Sequence, residues 1–313
     1  MSRTAQSFAH GKAFIGFITA GDPSIQQTEE YVFAMAEAGA DLIELGIPFS
    51  DPIAEGPVIQ GANVRALAAG TRLRDVFSLV ERIRMRTEVP LALMGYLNPL
   101  FHYGYEAFFT QCQKVGVDAV IIADLPYEEK AELSDIASRY GVDVISMVAP
   151  TSLERVERIA ATATGFIYLV SSLGVTGERR TIDTDLEEII AKIRGVSDVP
   201  IAIGFGVHTP DQARELASKA DGVIVGSALV RMIADSQEGS LKHEAQEGAP
   251  QQEGALQQEG AQEHEAQELA PRREDALSAG IPRQEAFVRG SASAVRQAIG
   301  DYVRTMKAAL RDC

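Results

Sequence analysis

Short apolar runs alternate with segments of helical periodicity along most of the chain. The runs are nearly continuous in apolar residues and most end at Gly, Pro, Asp or Ser, which is typical of buried strands. The segments between them carry apolar residues three and four positions apart, which predicts helices with one buried face. The predicted strands are 14–21, 42–46, 91–96, 119–124, 144–149, 166–171, 201–205 and 222–226, and the predicted helices include 28–38, 58–66, 73–85, 128–140, 153–161, 186–193 and 210–217.

Eight buried strands alternating with helices predict an α/β fold, a single (β/α)8 TIM barrel with a closed parallel sheet. An open, doubly wound sheet is the alternative. That fold commonly carries a GxGxxG fingerprint after its first strand, whereas this chain has Gly21-Asp22-Pro23 at that place. The barrel is therefore the preferred interpretation, and its chemistry is expected at the carboxyl ends of the strands.

The composition changes at residue 236, where a Gln-Glu-Gly-Ala unit soon begins to repeat. Residues 236–286 contain 11 acidic and 4 basic residues, so 11 − 4 leaves seven net negative charges, and large apolar side chains are rare. Such a segment cannot bury enough surface to offset its ordering entropy, which predicts a disordered acidic low-complexity insertion acting as a solvated spacer. The predicted organisation is barrel strands and helices over 1–235, the insertion over 236–286, and the closing C-terminal helix of the same barrel over 287–313.

The net charge of −15 argues against nucleic acid and anionic membranes as partners, since both need a basic patch. No apolar run is long enough to span a bilayer, and the N-terminus lacks the pattern of a signal peptide. Cys112 and Cys313 form no disulfide framework, and none of the five histidines belongs to a metal-spaced cluster. We expect a cytoplasmic protein without a metal site.

Two carboxylates stand out near the end of the second predicted strand. Glu44 lies inside the apolar strand, where burial raises a carboxyl pKa, and Glu55 lies in the loop that follows. Two acids facing one cavity could donate a proton to one substrate atom and accept a proton from another. Two alternatives stay open: Glu44 pairs with a buried Arg or Lys, and Glu55 is a solvated loop residue.

Glycine-rich turns end the last two predicted strands, Gly204-Phe205-Gly206 and Gly226-Ser227. Backbone N–H groups at such turns and at a helix N-terminus bind anions, and barrels commonly hold phosphate after strands seven and eight. The turns therefore predict a phosphate site, although glycines that merely permit tight turns are the alternative. After the sixth predicted strand, the long polar segment 171–185 predicts a mobile lid or an ordinary flexible loop.

One long motif, residues 46–60, reads GIPFSDPIAEGPVIQ and resembles the signature segment of the tryptophan synthase alpha chain family. The resemblance covers roughly residues 8–233 and resumes in the final helix. It includes the segments 14–23, 123–126, 168–171, 174–177, 204–206 and 226–228. It implies a TIM barrel that cleaves indole-3-glycerol phosphate to indole and glyceraldehyde 3-phosphate, which is an aldolase-type lyase of tryptophan biosynthesis.

The resemblance also implies roles for individual residues. Glu44 would be the general acid-base residue at the indole C3 carbon, and Glu55 would stabilise positive charge at the ring nitrogen. The residues implied to line the pocket are Phe17, Leu93, Tyr168, Thr176 and Phe205, and those implied to hold the phosphate are Gly177, Gly206, Gly226 and Ser227. No cofactor is implied in this chain. The implied partner is the tryptophan synthase beta chain, in an alpha2-beta2 tetramer whose pyridoxal phosphate lies in the beta chain.

The chain departs from the family pattern at Glu55, where the family carries an aspartate, and in its acidic insertion. The extra methylene requires the loop to retreat or the side chain to fold back, and we expect activity to survive. Two other functions stay open. One is a poorly catalytic subunit that binds and activates the beta chain, and the other is a different cofactor-free lyase or isomerase of phosphate sugars. Intrinsic cleavage by the isolated chain tests the first, and trials of substrates without indole test the second.

Overall fold

A computed structural model describes residues 2–150, 155–170, 179–204, 206–247, 292–311 and 313. Its single parallel sheet has the order β5-β4-β3-β2-β1-β9-β8-β7-β6. The strands are β1 Ala13–Thr19, β2 Leu42–Gly46, β3 Leu91–Gly95, β4 Ala119–Ile122, β5 Asp143–Val144, β6 Ser146–Val148, β7 Ile167–Val170, β8 Ile201–Gly204 and β9 Gly222–Val225. Because β5 and β6 are consecutive segments separated only by Ile145, the two ends of this order meet. The sheet therefore has eight strand positions, and the predicted TIM barrel is confirmed.

Helices cover the outside of the sheet. They are α1 Arg3–Gln6, α2 Ile25–Glu37, α3 Pro57–Ala68, α4 Leu73–Arg84, α5 Leu97–Tyr103, α6 Tyr105–Val115, α7 Lys130–Arg139, α8 Val156–Ala161, α9 Arg179–Arg194, α10 Pro210–Lys219, α11 Ser227–Glu247 and α12 Ala292–Leu310, with a short 3-10 turn at Tyr127–Glu129. Helix α12 packs against α2 and α10, which is the position of the predicted closing helix. Among the helices of the described residues, none has the length and apolar character needed to cross a bilayer.

The predicted insertion, 236–286, begins inside a helix. The backbone of α11 continues to Glu247, so the structure places residues 236–247 in that helix rather than in an unstructured segment. The rest of the predicted insertion, from residue 248 onwards, lies outside the described residues.

Alternation along each strand divides the apolar residues between two cores. In β2, Ile43 and Leu45 pack outwards in the large core beneath the helices, whereas Leu42 belongs to the core inside the barrel. Because side chains two positions apart share a face, Glu44 points to the interior with Leu42. The interior core also contains Ile15, Ala92, Ala119, Ile121, Ile145, Phe166, Ala202 and Ile224.

Aspartates hold the amino-terminal ends of three strand pairs in register. Asp41, Asp118 and Asp221 each lie just before a strand, and each carboxylate accepts a backbone N–H from the first or second residue of the neighbouring strand. The bonds are Phe14 N to Asp41 (2.7 Å), Leu91 N to Asp118 (2.8 Å) and Ile201 N to Asp221 (2.8 Å), and the paired cations are Lys307, Arg84 and Arg194. These contacts lie at the amino-terminal ends of the strands. The binding site of such a barrel is expected at the other end, where the strands reach their carboxyl ends.

Candidate functional site

Glu44 is a buried carboxyl group inside the barrel. In the sheet it lies between Phe17 of β1 and Ala92 of β3. Its side chain has no exposure to solvent, and neither carboxylate oxygen has a hydrogen-bond partner among the described residues. Burial raises the pKa of Glu44 to about 8, because the charged form loses its hydration. The alternative of a buried ion pair is therefore wrong within the described part of the chain, and the group is set to exchange a proton near neutral pH.

Tyr168 faces the same interior from β7. Burial raises the pKa of its hydroxyl, and the charge of Glu44 raises it further, so the two side chains interact electrostatically across the barrel. The phenol occupies the space beside Gly204, where an added Cβ would lie 2.7 Å from the Tyr168 hydroxyl oxygen. The structure thus brings the predicted pocket residue Tyr168 to the acid predicted to act on the substrate.

Phe17 forms an apolar wall next to Glu44. Its ring fills the space above two strand-end glycines: a Cβ at Gly46 would lie 2.7 Å from Phe17 Cζ, and a Cβ at Gly226 would lie 3.3 Å from Cδ1. Phe17 packs with the buried Ala62 of α3 and Val230 of α11. Gly46 therefore leaves the space that the ring occupies, and Gly226, which follows β9, lies in close contact with the ring. This packing fits the predicted place of Phe17 in the pocket lining.

Leu93 does not line the interior, and its prediction as a pocket residue is wrong. It belongs to the outer core beneath the helices, whereas its neighbours in β3, Ala92 and Met94, belong to the inward face. Met94 packs against both the interior core and the cluster around Phe17. The register pairs Glu44 with Ala92, so strand alternation places Met94 on the inward side and Leu93 on the outward side.

Glu55 lies in the loop between β2 and α3 and is partly buried. Its Oε2 atom accepts a hydrogen bond of 2.5 Å from Asn63 Nδ2, and the Tyr96 hydroxyl also bonds to the carboxylate. Burial raises the pKa of Glu55, and these two hydrogen bonds oppose that rise. The alternative of a freely solvated loop residue is therefore wrong. Sequence reasoning missed Asn63, which lies on the buried face of α3 with Ala62 and Ala66, and Tyr96, which follows β3.

The predicted phosphate site lies at the turns after β8 and β9. Gly206 has φ +77°, a conformation that favours glycine, and an added Cβ there would meet no atom within 4 Å. Gly226 precedes α11, whose first residue is Ser227. The Val230 N–H donates to the Gly226 carbonyl, which is the first hydrogen bond of this helix. The preceding N–H groups of this turn are available to an anion. Three predicted site residues, Thr176, Gly177 and Phe205, lie outside the described residues, as does most of the predicted lid.

Groups of three or more His, Cys, Asp or Glu side chains arranged for a metal ion do not occur in the described ranges. The polar groups that the site presents are carboxyl, phenol and backbone N–H groups. They can exchange protons and bind an anion.

Comparisons with known proteins agree on one family. The profile of the tryptophan synthase alpha chain family matches residues 4–261. The tryptophan synthase alpha chain of Lacticaseibacillus casei is 50% identical over 234 residues, covering 75% of this chain and 88% of that protein. The one from Geobacter sulfurreducens is 48% identical over 239 residues, covering 74% and 90%. The crystal structure of tryptophan synthase subunit alpha from Legionella pneumophila superposes with a TM-score of 0.75 at 32% identity, covering 100% of both chains.

Proposed function

Because the chain belongs to the tryptophan synthase alpha chain family, we propose that Glu44 is the residue that transfers protons in the reaction of that family. The reaction is the cleavage of indole-3-glycerol phosphate to indole and glyceraldehyde 3-phosphate, and the chain is a carbon-carbon lyase of tryptophan biosynthesis. The observation that supports a role for Glu44 most directly is its complete burial with both oxygens unpartnered among the described residues. A carboxyl group without structural partners is free to serve the substrate.

The proton transfers balance on one side chain. Protonated Glu44 donates its proton to indole C3, and the carboxylate so formed accepts the proton of the glycerol hydroxyl next to the breaking bond. The C–C bond then breaks, indole leaves with the proton on C3, the hydroxyl carbon becomes the aldehyde, and Glu44 is protonated again. Its pKa of about 8 supports this cycle, because both forms are accessible near neutral pH.

The other groups bind and orient the substrate in this proposal. The carboxylate of Glu55 accepts the indole N–H and stabilises positive charge that develops on the ring during protonation. Phe17, Met94 and Tyr168 enclose the indole, with Thr176 and Phe205 as further pocket residues. The phosphate binds the backbone N–H groups of Gly206, Gly226 and Ser227, together with Gly177. Met94 replaces Leu93 in this assignment because Met94 faces the interior.

Family membership implies a beta-chain partner. The finer assignments are part of the proposal: an alpha2-beta2 assembly, pyridoxal phosphate in the beta chain, no cofactor in this chain, and a cytoplasmic location. We also propose that the acidic segment is a dispensable spacer, on the basis of its composition. The composition predicts that residues 237–284 can be deleted, and because α11 continues to Glu247 the deletion is limited here to residues 251–284. Closed with a short flexible linker, it is expected to leave melting temperature and lyase rate nearly unchanged.

The decisive experiment measures indole release from indole-3-glycerol phosphate by the purified chain, alone and with a beta chain. Wild type is expected to release indole, the beta chain to accelerate it, and Glu44→Gln to reduce it by about 10²-fold to 10⁴-fold. Glu55→Asp is expected to stay active. A wild-type chain that releases no indole yet stimulates the beta chain would contradict the catalytic role of Glu44 and identify a binding subunit.

A further inference from the structure

Glu55 is held by a side chain from the helix that follows it. The loop carrying Glu55 leads directly into α3, and the carboxylate turns back along that helix to reach Asn63 at 2.5 Å. Asn63 is only 3% exposed, and it lies on the buried face of α3 between Ala62 and Ala66. Because packing fixes α3 in this way, the Asn63 amide is a rigid point from which the loop carboxylate is positioned.

The orientation of this hydrogen bond is determined by its chemistry. An ionised carboxylate only accepts hydrogen bonds, so the amide must present Nδ2 and not its oxygen to Glu55. Tyr96 completes the arrangement from the end of β3: its hydroxyl oxygen accepts the Ala54 N–H at 3.1 Å and its proton is donated to the Glu55 carboxylate. Phe49 stacks on the Tyr96 ring with centroids 5.1 Å apart. Two donors on separate elements thus hold the one carboxylate.

The length of Glu55 fits this arrangement. Compared with an aspartate, its extra methylene adds about 1.5 Å of reach along the side chain. The chain uses this length to fold the carboxyl group back towards α3, while Gln60 Nε2 holds the backbone carbonyl oxygen of Glu55 at 2.8 Å. The main chain and the carboxyl group of Glu55 are therefore both bound to α3, at separate residues.

We propose that Asn63 is the positioning residue that keeps Glu55 ionised and directed at the substrate, an inference that rests on the proposed function of Glu55. Burial of Glu55 favours its neutral acid, which cannot stabilise positive charge on a substrate ring. The Asn63 amide counteracts this, because its hydrogen bond is strongest to the charged form. Asn63 need not contact the substrate to have this effect.

Few other charged groups act on this carboxylate among the described residues. Tyr96 faces Glu55 from β3, and Asp124, which follows β4, adds its charge at Tyr96. Asp51, in the same loop, bonds to the hydroxyl of Ser50. Burial accounts for the raised pKa of Glu44. The ionisation of Glu55 is therefore controlled mainly by burial, Asn63 and Tyr96.

The test measures indole release against pH for wild type, Asn63→Ala and Asn63→Asp. Loss of the donor raises the pKa of Glu55, so the acidic limb of the rate profile is expected to move to higher pH by about one unit. The rate at neutral pH should fall by about 10-fold to 100-fold. Asn63→Asp should show the larger shift, because it places a second carboxylate against Glu55 while keeping the shape of the side chain.

Gln113→Glu is the matched control. It makes the same amide-to-acid change at an exposed helix residue of α6, whose amide donates to the backbone carbonyl of Tyr140 and not to Glu55. Its acidic limb should stay near that of wild type. A merely structural role for Asn63 would lower the melting temperature without moving the limb, and that result would overturn the inference.

Glu55→Gln separates this inference from the proposed function. If Glu55→Gln loses activity but the Asn63 variants keep the wild-type pH profile, the inference on Asn63 is wrong and the role of Glu55 stands. If Glu55→Gln keeps full activity, Glu55 is not used in the reaction and both assignments fall. If both hold, adding Asn63→Ala to Glu55→Gln should cause no further loss of rate, because the carboxylate that Asn63 positions is already gone.

Discussion

The Phe17 ring lies directly over Gly46, so close that a Cβ atom at position 46 would be 2.7 Å from Phe17 Cζ. Gly46 ends β2, two residues after Glu44, and Phe17 is paired in the sheet with Glu44 itself. The apolar wall and the acid are therefore positioned by the same two strands. Any side chain at position 46 must displace the wall of the proposed pocket.

Gly46→Ala is accordingly expected to impair substrate binding. The methyl group forces the Phe17 ring out of its position, and overpacking of this kind typically costs about 1–3 kcal/mol of stability. Steady-state kinetics should show a KM for indole-3-glycerol phosphate raised by about 10-fold, which corresponds to about 1.4 kcal/mol of lost binding.

Gly95→Ala is the control for this change. Gly95 also ends a strand, but its added Cβ would meet Ile47, 3.3 Å away, which belongs to the outer core. It should lower stability and leave KM nearly unchanged. Equal effects of the two substitutions on KM would contradict the position of Phe17 in the pocket wall.

Leu93 and Met94 should separate stability from substrate binding. Leu93→Ala removes a fully buried side chain from the outer core and is expected to lower the free energy of unfolding by about 2–5 kcal/mol, with kcat and KM preserved. Met94→Ala enlarges the proposed pocket and should mainly raise KM. Urea unfolding and steady-state kinetics on the same preparations check both, and a raised KM for Leu93→Ala alone would reverse the assignment.

Glu44 should make the stability of the protein depend on pH. The unfolded carboxyl loses its proton near pH 4.5, whereas the folded one keeps it until about pH 8. Because the folded state then binds more protons, this group lowers stability as pH rises through that range. Glu44→Gln lacks the ionisation, so at about pH 7 it is expected to be more stable than wild type, by on the order of 2–4 kcal/mol.

Chemical denaturation at several pH values tests this expectation. The stability difference between Glu44→Gln and wild type should be small near pH 4.5 and should grow towards pH 8, while lyase activity is lost throughout. A difference that does not change with pH would show that Glu44 titrates normally in the folded state.

The barrel could be predicted from the sequence because buried parallel strands are short and continuously apolar. The break at Ile145 could not, since 144–149 reads as one strand and the interruption arises from pairing with β4 on one side and β7 on the other. Two of the three strand-start aspartates did leave a signal, as Asp41 and Asp118 each follow a Gly-x pair, whereas Asp221 follows Lys219-Ala220. What that signal lacked was the partner, because the bonded N–H groups are 20 to 27 residues away.

Candidate site residues could be predicted from the sequence where a residue type is unusual in its surroundings. A carboxyl residue, Glu44, within an apolar strand indicated a candidate site, whereas Leu93 and Met94 are both apolar and only the register with Glu44 separates them. Asn63 was missed because an amide eight residues from Glu55 gives no sequence signal. Its role depends on a loop that folds back onto α3.

Lys130 provides a further test of how burial shifts proton binding, away from the proposed site. Its ammonium group donates a hydrogen bond of 2.5 Å to Ser146 Oγ, in the strand segment just after the break at Ile145. Burial lowers the pKa of Lys130 to about 8, although the charge of Asp143 acts in the opposite direction. As pH rises, the folded state therefore releases this proton at a lower pH than the unfolded state, in which the lysine titrates near pH 10.5. Wild type should gain stability relative to Lys130→Met as pH rises from about 8 to about 10. Urea unfolding at both pH values measures the change, with Lys114→Met, at an exposed lysine of α6, as the control. A wild-type advantage that stays constant over this range would show that Lys130 keeps its charge when buried, held by Asp143 more strongly than burial opposes it.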